Sequence, residues 1–350
     1  NNIYIYLIIM NIYSSVDGNN IDKIIALFNS VYINTNNKNL KFYLIIDKFP
    51  KELPHIPEYL NGILNIKEIN FNEKWEELLS EFNTYFYKLA KWCKNRMNFA
   101  RFIFFKVFPE VDRVIYLDWD MIVLEDIYKL SEDYNDKENM IVCKCSGENL
   151  FNNVFDSKFK CSTNYRSLYA KTRKEKIKNH TVGKVLDYLK ISYEDFFKTT
   201  GFNAGFYIVS KEHFNDEFIF NHVQKLINVQ KRFMCFNFGT QVVMNLMNIK
   251  NRKFIDKKWN HLPILDSSIN NLDNLYIIHW NGKDKPWNSV AKENEIWFDY
   301  YLKVYPDFKD RNFIKNINEF SKTDEPKKIV KKYKRINNNS NILKLLQNKI

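Results

Sequence analysis

Glycine and proline are scarce in this chain, at 8 residues each among 350. That excludes a collagen-like or low-complexity linker protein and leaves few sites for tight left-handed turns. Cysteine is sparse too: Cys93, Cys143, Cys145, Cys161 and Cys235 make an odd set. They lack the spacing of a small disulfide framework or a thiolate metal site, so reduced thiols are expected, with Cys143 and Cys145 alternating in an apolar strand. No apolar run is long enough to span a bilayer. The opening "IYIYLII" is too short, and no signal-peptide architecture surrounds it. With the reduced thiols, this points to a cytoplasmic chain.

What is abundant is apolar and basic. Hydrophobic residues make up 45% and aromatic residues 16%, ample for a large core. The formal net charge of +12 predicts an anionic partner. Nucleic acid, an acidic membrane surface and a phosphorylated small molecule all meet that description. No RNA- or DNA-binding motif accompanies the charge, so a nucleic-acid partner is not expected.

The first third alternates strand and helix patterns. Apolar strands are expected over 3–9, 11–16, 40–47 and 63–70, with a turn at "VDGNN" and helical periodicity over 21–33 and 75–108. One strand is expected to run from Arg113 to Val123, another over 141–145. "GFNAGFYIVS" (201–210) reads as a strand followed by a helical stretch to Lys231, and "NLYIIHWNGKDKPW" (274–287) as a strand entering a loop. Such alternation implies a mostly parallel α/β sheet covered on both faces, with ligands beyond the carboxyl ends of its strands. Asp47 and the pair Asp118 and Asp120 lie at such ends.

Asp118 and Asp120 stand two apart in "RVIYLDWDMIVLEDI", which on a strand places both on one face and Trp119 on the other. Two carboxylates on one face repel unless a cation lies between them, and Mg²⁺ or Mn²⁺ prefers such oxygen ligands. Solvated acids at a strand end are the alternative, but apolar residues on both sides place the pair at the edge of a core. His279 ends "LYIIH" and precedes a loop carrying Gly282, Lys283 and Lys285. An imidazole can complete a metal site, glycine lets backbone approach a pyrophosphate, and lysine neutralises it. Together these residues describe a site for a metal-bound nucleoside diphosphate.

The segments "ARFIFFKVFPEVDRVIYLDWDMIVLEDI", "FNAGFYIVS", "WNHLP" and "IIHWNGKDKPW" follow the order found in the glycogenin-like family. The resemblance spans residues 10 to 290. That family comprises retaining glycosyltransferases of GT-A (Rossmann-like) fold and includes bacterial lipopolysaccharide galactosyl- and glucosyltransferases. The resemblance implies transfer of a hexose, glucose or galactose, from a UDP-sugar with Mn²⁺ (or Mg²⁺) as cofactor. Asp118, Asp120 and His279 would hold the metal. Arg101 would orient the donor sugar, with Asn203, Ala204 and Gly205 lying along it and Gly282 and Lys285 at the diphosphate. Ser14, Asp17 and Asn19, in "NIYSSVDGNN", would form the nucleoside pocket, the alternative register using Ile3 to Met10. Asp120, Arg101 and Gln241 would be catalytic, with Gln241 beneath the anomeric carbon.

Two positions depart from the family pattern. Thr240-Gln241 replaces an Asp-Gln pair, and Ser146 stands where an acid is common, with Glu148 its substitute in a shifted register. Those acids line the acceptor side, so the acceptor, whether glycan, lipid-linked or protein, is not implied. A silent relative that binds nucleotide sugar or glycan without transfer is the alternative. Trp287 is a candidate for stacking on sugar, Trp280 reads as packing, and Trp259 and Asn260 fit either the acceptor side or a turn with a buried tryptophan. The expected organisation is one GT-A domain over 1–305, with 150–200 inserted over the active site and a basic helical tail over 306–350. That tail, with "KKIVKKYKR", is suited to peripheral contact with anionic lipid.

Overall fold

The computed structural model describes residues 8–86, 95–150, 154–155, 181–236, 239–247, 249–263, 275–282, 285–287 and 293–307, without the side chains of 145–149. The tail from 308 onward, Cys93, Cys161, Lys283 and the side chains of Cys145, Ser146 and Glu148 therefore lie outside the described residues, as does most of the expected first strand over 3–9.

Seven strands form the main sheet: β1 (Met10–Val16), β2 (Leu40–Ile46), β3 (Leu64–Glu68), β4 (Arg113–Leu117), β6 (Met140–Asn149), β7 (Thr200–Ser210) and β8 (Arg252–Ile255). Their order is β3-β2-β1-β4-β7-β6-β8. Every neighbouring pair is parallel except those of β7, which runs antiparallel to both β4 and β6. A mostly parallel α/β sheet is thus what the alternating pattern implied. Two short strands, β5 (Met121–Val123) and β9 (Ile277–His279), pair antiparallel as a separate ribbon.

Successive strand residues feed opposite faces, and both faces are covered. Ile12, Phe42, Leu44, Ile115, Leu117, Phe206 and Ile208 pack on one side, where helix α1 (Ile21–Asn34) supplies Ile24, Leu27 and Phe28. Tyr13, Tyr43, Tyr116 and Tyr207 face the other side, with helices α2 (Glu73–Tyr85) and α4 (Asp216–Phe233); α3 is the short turn Met97–Ala100. Tyr116 stacks on Tyr207 at 4.7 Å and meets Tyr13 edge-on at 5.3 Å, so the three rings form one tyrosine row beneath the sheet. A third cluster joins Ile122, Ile278 and Trp280 to helix α6 (Asn294–Val304).

The region expected as an insertion is partly core. Within it, 181–189 and 193–198 are helical and bury Val182, Val185, Leu186 and Phe196. The helical expectation for 75–108 breaks up: a helix ends at Tyr85 and two single turns, Met97–Ala100 and Phe104–Val107, precede β4. Among the described residues, no helix is long and apolar enough to cross a membrane.

Candidate active site

The structure corrects the reading of Arg113–Val123 as one strand. β4 stops at Leu117, residues 118–120 turn, and the chain resumes as β5. The backbone shows why the two acids are one residue apart. Asp118 N–H donates to Gly205 O at 2.9 Å, closing the ladder between β4 and β7, whereas Asp120 O accepts Trp280 N–H at 3.0 Å, extending the ladder between β5 and β9. Asp118 is the last residue tied to the main sheet, and Asp120 is the first tied to the ribbon. Trp119 spans the crossing and packs on Trp287 at 4.7 Å.

The ribbon brings in the histidine. Met121 lies opposite His279, so the imidazole reaches the acids across the ribbon rather than along one strand. Its Nε2 is 3.3 Å from Asp120 Oδ1 and 3.8 Å from Asp118 Oδ2. One ligand atom from each of the three residues lies within 4.8 Å of the others. His279 and Asp120 are buried, at 1% and 2% exposure, while Asp118 is partly open to solvent.

Each group is held by neighbours. Tyr116 Oη donates to Asp118 Oδ1 at 2.6 Å, and Arg101 Nη2 reaches the same oxygen at 3.3 Å. Arg101 follows the turn α3, is buried against the Tyr116 ring, and donates through Nη1 to Ala204 O at 2.8 Å. Burial opposes its charge, but Tyr116 and Asp118 outweigh that, and the guanidinium binds its proton more tightly than usual. Lys285 Nζ donates to Asp120 Oδ2 and, at 3.2 Å, to Trp280 O. Burial would raise the Asp120 pKa, yet Lys285 holds it below the usual carboxylate range.

The glycine of "NAG" serves the histidine. A Cβ on Gly205 would lie 2.4 Å from His279 Cε1 and 2.9 Å from its Nδ1, so the imidazole rests on bare backbone. Sequence reasoning put Gly205 along the donor sugar; its missing side chain is occupied by His279. Asn260 ends the turn Lys257–Asn260, which buries Trp259 as one of the two sequence readings expected, and its Oδ1 meets His279 Nδ1 at 2.9 Å. Asn260 Nδ2 donates in turn to Asn203 Oδ1 at 3.3 Å. The pairing depends on 260–261 running beside β9, where His279 N–H donates to His261 O at 2.8 Å.

Gln241 lies on helix α5 (Thr240–Met247), with Oε1 3.5 Å from both Asn203 Nδ2 and Ala204 N. One turn later, buried Asn245 pins the helix to β7. It accepts Phe202 N–H at 3.0 Å and donates to Phe202 O at 2.9 Å and to Gln241 O at 3.0 Å. Sequence reasoning missed Asn245, although its four-residue spacing from Gln241 places both on one helix face. Thr240 is buried beside Gln241.

The residues assigned to the nucleoside pocket are distributed differently. Ser14 is fully buried and donates to Leu117 O at 2.8 Å, tying β1 to β4. Asp17 accepts Asn95 Nδ2 at 3.2 Å and is half-buried; burial raises its pKa against the pull of Asn95. Asn19 is exposed. Between them Gly18 is required: a Cβ there would lie 2.0 Å from Lys48 O, while Gly18 N–H donates to Asp47 Oδ1 at 2.6 Å. Gly282 has a left-handed φ of 88° with open space around it.

The donor set fits a divalent cation. Two carboxylates and an imidazole nitrogen converge, and Asp120 Oδ1 is buried without a hydrogen-bond partner among the described residues. A buried carboxylate oxygen facing a ring nitrogen calls for positive charge between them.

Residues 11–291 match the family described as glycosyl transferase family 8. The chain belongs to that family. Glycosyltransferase 8 domain-containing protein 1 of Mus musculus is 23% identical over 306 residues, covering 79% of this chain and 73% of that one. Glycosyltransferase GlyE of Streptococcus pneumoniae is 24% identical over 311 residues, covering 82% of this chain and 60% of its own. Among solved structures, the galactosyltransferase LgtC with donor and acceptor sugar analogues superposes with a TM-score of 0.56 at 14% identity, covering 87% of this chain and 99% of that one. The fold of this family 8 protein is therefore GT-A.

Proposed function

We propose that this family 8 glycosyltransferase transfers a hexose, glucose or galactose, from a UDP-sugar to a glycan, lipid-linked or protein acceptor with retention of configuration, using Mn²⁺ or Mg²⁺. The observation carrying this reading is the meeting of Asp118, Asp120 and His279 where the main sheet hands over to the ribbon. The bound metal would supply positive charge to the departing diphosphate. Lys285 adds a second positive charge beside Asp120, where the leaving group's negative charge develops. Arg101 fixes the carbonyl of Ala204 and the Asp118 carboxylate, so the strand flanking the donor and the metal ligand are held by one side chain. Gln241, on α5 next to Asn203 and Ala204, would face the sugar, a role its contacts with that segment support. A cytoplasmic protein whose basic tail touches anionic lipid remains part of the same proposal.

The test is UDP release and ligand binding with Mn²⁺ across a panel of UDP-sugars and acceptors. Turnover of one donor, lost in Asp120→Ala, supports the enzyme. Binding of a UDP-sugar without release on any acceptor favours the silent relative, a reading motivated by Thr240 in place of an acid. No binding at all, unaffected by changes at Asp118 and Asp120, refutes both.

A further inference from the structure

One amide contact at the metal centre determines where the proton of His279 sits. An Asn side chain has an accepting and a donating end, and which is which follows from its partners. Here the assignment starts from a group with no ambiguity, the backbone N–H of Gly205. It donates to Asn203 Oδ1 at 2.9 Å, so that end of Asn203 is the carbonyl oxygen. The Asn260 atom 3.3 Å from the same oxygen must then be the donating nitrogen. The other end of Asn260 is consequently its oxygen, and it lies 2.9 Å from His279 Nδ1. An oxygen acceptor at that distance requires a proton on Nδ1. In the neutral ring Nε2 is left as a lone pair, and Nε2 is the atom facing Asp120 Oδ1 and Asp118 Oδ2.

We propose that Asn260 is a positioning residue of the metal centre: with Asn203, and anchored on Gly205 N–H, it holds His279 as the Nδ1–H tautomer and aims the Nε2 lone pair at the site between the two aspartates. The proposal rests on the metal-dependent reading above. It gives Asn203 a second duty, because its oxygen is committed to the relay and only its nitrogen faces Gln241. Burial supports the assignment. Asn260 is 4% exposed and Asn203 9%, so water does not easily replace either partner.

The test uses the full chain. Long-range proton–nitrogen NMR of the metal-free protein at mildly alkaline pH reads the His279 tautomer, with His279→Gln identifying its signals. Mn²⁺ affinity is measured by electron paramagnetic resonance with the metal alone. The wild type is expected to show Nδ1–H; a ring protonated on Nε2 instead overturns the relay. Asn260→Leu removes the acceptor and is expected to shift the ring toward Nε2–H and weaken Mn²⁺ binding about 10–100-fold. Asn260→Asp keeps an acceptor and is expected to retain the Nδ1–H tautomer and recover most of the affinity. Unchanged tautomer and affinity in a folded Asn260→Leu overturn the proposal. Should that variant not fold, Asn203→Ala, which leaves Asn260 without its anchor, is expected to give a mixture of tautomers; a single unchanged tautomer overturns the proposal. A wild-type protein that shows Nδ1–H yet binds neither Mn²⁺ nor Mg²⁺ refutes the metal reading and not the relay, so the two failures are distinguishable.

Discussion

The two ends of the site are built differently. At the metal end, Asp118, Asp120 and His279 come from the seams of two sheets, and their partners Tyr116, Arg101, Lys285 and Asn260 each make further bonds. At the first-strand end, Ser14 is engaged between strands, Asp17 meets one amide and Asn19 faces solvent. The first end is preorganised, its groups held in place before any ligand arrives. The second carries fewer fixed contacts. Chemistry that must stabilise developing charge benefits from the first arrangement, since donors and ligands already in position need not reorganise.

That contrast is open to attack, starting where the largest effect is expected. Asp120→Asn should lower UDP release from the preferred donor by on the order of 10²–10³-fold or more, a size typical of losing one preorganised charge contact. The folded-state pKa of Asp120 lies below the unfolded value, so the stability it contributes is present above the ordinary carboxylate range and is lost as pH falls through it. Thermal unfolding of Asp120→Asn in metal-free buffer should show a weaker acid-side decline than the wild type.

Next comes Gly205→Ala. The added methyl must displace the His279 ring, and Mn²⁺ affinity is expected to fall about 10–100-fold, with a stability loss of about 1–3 kcal/mol from overpacking. Wild-type metal affinity in this variant would show that the ring does not need its seat on the glycine. Asn245→Leu leaves the Phe202 N–H and carbonyl in β7 unpaired; about 2–3 kcal/mol of stability should be lost, read by urea unfolding. Ser14→Ala, at the other end, should cost about 1 kcal/mol for one buried hydrogen bond, with little change in UDP affinity. A large loss of UDP affinity there would erase the contrast between the two ends.

The sheet was legible because buried parallel strands read as largely apolar runs, as FYLII in β2 and VIYL in β4 do, although β1 is buried while carrying Asn11, Ser14 and Ser15. The reversal of β7 was not legible, since an antiparallel strand covered on both faces reads the same way. Asp118, Asp120 and His279 emerged from their motifs, but the turn between the acids was hidden by apolar residues that continue on both sides of it. Asn260 stands out in the sequence, but its partner does not. Its bond to His279 depends on 260–261 lying beside β9, a long-range register that no local pattern encodes.

The reversed strand has one more consequence. Because β7 runs against its neighbours, its first residues arrive at the edge where β1 and β4 finish, and Asn149 pairs with Thr200 there. The stretch from 150 to 199 thus departs from the scaffold and returns to it at the rim of the catalytic face. Val182, Val185, Leu186 and Phe196, within that stretch, pack into the same core as Phe202 and Ala204 of β7, so its described helices are tied to the scaffold beside that edge. A segment the core depends on and the side chain that steadies the histidine's partner therefore begin within a few residues of one strand end, at Thr200 and Asn203.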